Sequence, residues 1–377
     1  MNWINRKWFL NIITFLIILL LSIKLFDLTV GLFQDSSAII QSNQTTRSLI
    51  LKENRPQLIS VFEIPKSDTA AYHSFNHKKS QLRTDIDGFI LGPKDFTSND
   101  KNVSIIFFGG STTECAYVEE EKRFPYLVSE KLGIRVLNGG VSGNHSMHSL
   151  LSMIGKGIPQ KPKHVVLMHA VNDLSTLSKT LSYWKAPDSR SLIQTGNAPS
   201  HHSSLYKIAR AAKNYFVPNT WQMTRHIFLS TEYLQTDEWA IYRNDKIKSS
   251  DIEHILIEQF TASLKSFVHL SRSWNIEPIL MTQFNRLKSD DSTVRAEFKL
   301  YQPLISYDEF IGFYAKTNDL VRMVAKDDNV FLIDLDSEIP PTSEYIYDSV
   351  HLTTIGSELV AEKISTALKA RYPTIYR

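Results

Sequence analysis

The sequence predicts an α/β protein: a three-layer, flavodoxin-like sheet of about five parallel strands, with an N-terminal transmembrane helix before it and a helical cap inserted into it. Three observations carry that expectation. Apolar β-rich runs alternate with segments of helical periodicity, a nearly unbroken apolar run lies close to the amino terminus, and one interval between strands is far longer than a crossover requires.

Taken in order, Arg6 and Lys7 precede "WFLNIITFLIILLLSI", residues 8–23. At about 1.5 Å per helical residue this run is slightly shorter than a ~30 Å hydrocarbon core. Lys24 can snorkel and "LFDLTVGLF" extends the span. No Ala-x-Ala-like site follows, so an uncleaved single-pass anchor is expected over residues 1–33, with a cytoplasmic amino terminus and an extracytoplasmic body. Residues 34–80 are polar and weakly periodic and read as a stalk, and 81–377 as the folded domain.

Within that domain, strands are expected at "VSIIFF" (103–108), "IRVLN" (134–138), "HVVLMH" (164–169), "IEPILMTQ" (276–283) and "NVFLIDL" (329–335). The clearest helix begins at Asp251, where Ile252, Ile255, Leu256, Phe260, Leu264, Phe267 and Val268 fall on one face. Parallel neighbours need crossovers, so the helices cover both sheet faces. Residues 174–250 exceed any ordinary connection and read as the cap, whose aromatic residues, among them Trp184 and Trp221, are expected chiefly to pack it.

The bulk composition excludes several functions. A net charge of +3 over 377 residues, without a basic stripe, gives no case for nucleic acid. A single cysteine, Cys115, rules out an intrachain disulfide and a Cys-based metal centre, and it reads as a small buried residue. His145 and His148 have i, i+3 spacing but no acidic or cysteine partner nearby, so neither a metal nor any other cofactor is expected. Asn43, Asn102 and Asn144 open N-x-Ser/Thr triplets of the kind that arise by chance.

Ligands of an open parallel sheet sit outside the carboxyl ends of its strands, and there the chemistry gathers. The first strand delivers Gly109, Gly110 and Ser111; the second "NGGVSGNHS"; the third "AVND"; the last is followed by "YDSVHLT". A serine hydroxyl becomes a nucleophile when a base removes its proton. His351 is the candidate base and Asp348 its orienting carboxylate. The backbone N–H groups of Ser111 and Gly143 and the side-chain amide of Asn172 are candidate oxyanion donors. Asp173 is read as structural and His169 as a packing histidine.

These residues resemble the SGNH (GDSL-like) hydrolases: Ser111 in "GGST", Gly143 in "GVSGN", Asn172 in "AVND" and Asp348 with His351 in "DSVH", in the family's order. "LRTDIDGF" resembles the lead-in of membrane-anchored bacterial members. Gly110 and Ala170 depart from the family pattern, which usually has Asp and Gly at those positions. The resemblance implies a membrane-anchored extracytoplasmic serine esterase acting on O-acyl, including O-acetyl, esters of a small molecule or of envelope or exported polysaccharide. Two alternatives stay open: an O-acetyltransferase served by a membrane acyl-donor partner, and an inactive glycan-binding or assembly subunit.

Overall fold

The computed structural model describes residues 51–64, 77–93, 103–187, 190–197, 247–289, 291–301 and 305–376, with 45–49, Phe75 and the helical positions Thr14, Phe15 and Ile18. The chain divides into two compact units, Met1–Ser48 with Gln194–Leu234 and Leu49–Ile193 with Gln235–Arg377. The expected anchor lies outside the described residues apart from those three positions, as does most of the expected cap. Among the described residues no helix is long and apolar enough to cross a membrane.

The larger unit is built on five parallel strands: β1 (Ile105–Gly109), β2 (Val136–Gly140), β3 (His164–Met168), β4 (Glu277–Met281) and β5 (Phe331–Ile333). They lie in the order β2-β1-β3-β4-β5 and every pairing is parallel. The order reverses between β1 and β3, which makes their carboxyl ends the switch point where doubly wound sheets bind ligands. Each expected strand is present, shortened or shifted by a few residues at its ends.

Side chains alternate across a strand, so each strand feeds two cores. Ile106, Phe108, Val165, Leu167 and Leu280 belong to one cluster, whereas Ile105, Phe107, Val166, Met168 and Ile279 belong to the other. The first core is closed by α4 (Val171–Thr180), α6 (Thr261–Ser273) and α7 (Tyr307–Asp327). The second is closed by α2 (Phe124–Leu132) and α8 (Thr354–Arg371). Between and before these lie the short helices α1 (Ser111–Glu114), α3 (Ser146–Ser152) and α5 (Ser249–Ile255).

Local chemistry explains where the helices start and stop. Helix α2 has Pro125 in its first turn and ends at Gly133, whose φ of +63° suits glycine. Ser306 and Glu309 form a capping box at the start of α7, and Thr353 accepts the N–H of Gly356 at the start of α8. The helix expected from Asp251 runs as α5, a π turn over Leu256–Phe260, and α6. All seven residues of its expected apolar face are buried. The π turn adds a residue to one turn and so keeps Phe260 and Leu264 aimed at the sheet.

Ile59–Glu63, within the stretch read as stalk, is a strand paired antiparallel with Lys79–Arg83. Its alternation is too short and too polar to stand out in the sequence.

Candidate active site

Ser111 follows β1 and begins α1, after an extended Gly110 (φ −89°, ψ −152°). A side chain at either glycine in front of it would crowd its neighbours. A Cβ on Gly109 would lie 2.1 Å from Thr113 Oγ1, and one on Gly110 would lie 2.5 Å from Asn172 Nδ2 and 3.1 Å from the Asn144 carbonyl oxygen. The missing side chain at position 110 therefore gives the Asn172 amide its place beside the nucleophile.

The structure brings Ser111, His351 and Asp348 into one chain of hydrogen bonds across 240 positions of sequence. Ser111 Oγ is 2.7 Å from His351 Nε2, and His351 Nδ1 is 2.6 Å from Asp348 Oδ2. An ionised carboxylate only accepts, so Nδ1 carries the ring proton and Nε2 is left to accept from the serine hydroxyl. The Asp-x-x-His spacing has a local cause. Asp348 Oδ1 accepts the backbone N–H groups of Val350 and His351 at 2.9 and 2.7 Å, which folds the turn and points its other oxygen at the ring.

Burial would raise the Asp348 carboxyl, but the adjacent His351 ring and these N–H donors outweigh it and hold the group below the usual carboxylate range. Its side chain is 7% exposed and that of His351 29%, so the carboxylate is sheltered while the base meets solvent. Tyr347 stacks on the imidazole with ring centroids 5.6 Å apart.

The candidate oxyanion donors gather at the switch point. Among the described residues, no backbone acceptor takes the N–H of Ser111 or of Gly143. Asn172, the second residue of α4, donates from Nδ2 to the Asn144 carbonyl at 2.9 Å. Gly143 has φ +75°, a left-handed conformation that favours glycine. Ala170 is buried with a negative φ (−161°), outside the left-handed region that favours glycine.

Asp173 links the two loops. It is fully buried and accepts the N–H of Ser146 at 3.0 Å, the Ser146 hydroxyl at 2.5 Å and the Tyr183 hydroxyl at 2.5 Å. His169 bonds Ser149 Oγ at 2.7 Å and lies 3.6 Å from Asp173, with its pKa lowered by burial. His145 and His148 are buried with their rings tilted against each other, centroids 3.8 Å apart, and among the described residues no three His, Cys, Asp or Glu side chains form a metal-binding set. Burial pushes the Cys115 thiol up to about 12, which keeps it a protonated packing group.

Two positioning residues escape sequence reasoning. Gln283, buried just beyond β4, donates from Nε2 to Thr112 Oγ1 at 2.9 Å and accepts the Val171 N–H at 2.9 Å. It thereby joins the residue after the nucleophile to the residue before Asn172, and Asn318 pairs with both of its backbone groups. Arg286, also buried, donates from Nη1 to the carbonyls of Ile346 and Tyr347 at 2.7 and 3.1 Å, and its own N–H bonds the Ser349 carbonyl at 2.8 Å. The turn that carries Asp348 is thus pinned from both sides. The available signal is "TQFNR", a polar run directly after an apolar strand.

No protein-family model matches this chain, and no curated protein matches it. Among solved structures, it is similar to a lipase/acylhydrolase from Enterococcus faecalis at 18% identity and a TM-score of 0.40, covering 71% of this chain and 96% of that one. It is similar to the acetylxylan esterase Axe2 from Geobacillus stearothermophilus at 18% identity and a TM-score of 0.38, over 71% and 96% of the two chains. A GDSL-like lipase from Bacteroides thetaiotaomicron is similar at 13% identity and a TM-score of 0.39, over 72% and 90%.

Proposed function

We propose that this chain is a serine ester hydrolase acting through an acyl-enzyme on Ser111. The observation that carries the reading is the continuous Ser111–His351–Asp348 hydrogen-bond chain, at 2.7 and 2.6 Å, at the switch point of a parallel sheet. His351 Nε2 takes the hydroxyl proton as Ser111 Oγ bonds to the ester carbonyl carbon. Asp348 stabilises the resulting imidazolium without taking its proton. The carbonyl oxygen becomes an oxyanion facing the N–H groups of Ser111 and Gly143 and the amide of Asn172. Collapse expels the alcohol, which takes the proton from His351. Water, deprotonated by the same imidazole, then attacks the acyl-enzyme, and the acid leaves as Ser111 recovers its proton.

The finer reading is an O-acyl, including O-acetyl, ester of a glycan in the cell envelope or in exported polysaccharide, met by a domain held outside the membrane by residues 8–23. It is supported by the apolar run behind Arg6 and Lys7 and by the four sequence blocks. The test is to incubate the purified full chain with short p-nitrophenyl esters and with acetylated glycans. Acid should be released, and the Ser111→Ala chain should release none. No release above that control from any ester would sink the reading, and acetyl appearing on a glycan hydroxyl in place of free acetate would replace hydrolysis with transfer.

A further inference from the structure

The two oxyanion donors outside the nucleophile, Gly143 and Asn172, share a partner. Arg190 Nη1 donates to the Gly143 carbonyl oxygen at 2.6 Å and to Asn172 Oδ1 at 3.1 Å. The guanidinium also packs on the Gly143 α-carbon, since a Cβ built there would lie 3.0 Å from Arg190 Cζ. Arg190 belongs to the segment 174–250, outside the four sequence blocks.

The Asn172 amide offers one oxygen and two N–H groups. Its oxygen is held by a cation, and one N–H is spent on the Asn144 carbonyl at 2.9 Å. The second N–H remains for the substrate, on a nitrogen that sits 2.5 Å from where a Gly110 Cβ would be. Turning the amide over would set oxygen against the Asn144 carbonyl and NH2 against the guanidinium, and both contacts repel. A cation on the amide oxygen also draws electron density from the nitrogen, which makes the remaining N–H a stronger donor.

We propose that Arg190 is a positioning residue of the oxyanion hole, fixing the orientation of the Asn172 amide, tying it to Gly143 and strengthening its donor. The proposal rests on the serine-hydrolase reading. It assigns part of the inserted segment to the reaction, through Asn172 and without contact to the reacting atoms.

The test compares second-order rates of labelling by a fluorophosphonate, whose reaction with Ser111 develops charge in the same hole. Four full-length chains are needed: wild type, Arg190→Ala, Asn172→Ala and the double variant, each with a melting curve. Arg190→Ala should label about tenfold to a hundredfold more slowly, less than the roughly 10²–10³-fold expected for deleting a donor outright. In the Asn172→Ala background the same change should cost no more than about twofold, because no amide is left to orient. Arg190→Lys, which keeps charge but not the planar fork, should fall between wild type and Arg190→Ala, and it serves alone if the alanine variant melts early. Wild-type rates in Arg190→Ala or Arg190→Lys, or a full multiplicative loss in the double variant, overturn the proposal while the hydrolase reading stands. Failure of the folded wild-type chain to label overturns the reading itself, and the proposal with it.

Discussion

The loops after β2 and β5 leave opposite edges of the sheet, and both bring histidine towards its carboxyl end. Only one of these histidines is wired for proton transfer. His351 has a carboxylate on Nδ1 and a hydroxyl on Nε2, and its side chain is 29% exposed. His145 is wholly buried, and among the described residues no carboxylate or hydroxyl is hydrogen-bonded to either of its ring nitrogens. Burial, followed by the charges of His148, His169 and Arg190, lowers the His145 pKa well below the ordinary imidazole value. His148 is pushed down to about 3 by burial and then by Lys52. Partners on both nitrogens and access to water make a base, whereas burial without them makes a neutral packing ring.

The strongest way to break this contrast is to remove the wired groups. Ser111→Ala and His351→Ala should each lower kcat by about 10⁶-fold, and Asp348→Asn by about 10⁴-fold through loss of the correct ring tautomer, all measured on one short ester. Melting curves should show each variant folded. Gly110→Ala should cost about 10²–10³-fold in kcat with KM little changed, because the new methyl group displaces Asn172 Nδ2 from the hole. If that variant kept wild-type kcat, Asn172 would lose its place as an oxyanion donor.

The other side of the comparison is sharpened by pH. His148, at about 3, and His164, pushed by burial down to about 4, both lie below the unfolded value of about 6.5. Between those limits the unfolded chain binds protons that the folded chain does not, so stability falls as pH drops from about 6.5 towards 4. Asp348 works lower. Its depressed carboxyl contributes stability that is present above about 3.9 and lost as pH falls through its folded value. Melting temperature should therefore begin to fall near pH 6, and a flat curve down to pH 4.5 would contradict the buried-histidine account.

The smallest expected effect is that of His145→Phe, a swap of one buried ring for another that should change stability at pH 7.5 by about 1 kcal/mol. It should also narrow the gap between melting temperatures at pH 7.5 and pH 5.5, with activity within a few-fold of wild type. A loss of activity as large as that of His351→Ala would move His145 from packing to chemistry.

Much of this arrangement can be read in the sequence, because continuous apolar strands such as "IIFF" and "VVLM" fix the parallel sheet, and the sheet collects whatever follows each strand at one edge. Ser111, Gly143, Asn172, Asp348 and His351 are legible for that reason. Gln283, Arg286 and Arg190 are not, since their roles depend on main-chain carbonyls and amides whose directions no residue pattern encodes. The strand Ile59–Glu63 is missed for a different reason: it is half exposed and pairs with a partner that is itself polar, "KSQLR". The Ala170 position shows the converse, for a negative φ accepts alanine where the family pattern prefers glycine.

The account turns on a covalent bond at one oxygen. Rapid quenching of the full chain during turnover of p-nitrophenyl acetate, followed by peptide mapping, reads that bond directly. A single acetyl group on Ser111, absent from Ser111→Ala and not formed at a measurable rate in His351→Ala, is the predicted result. Acetyl on another side chain, or product formed by a Ser111→Ala chain at the wild-type rate, would contradict it.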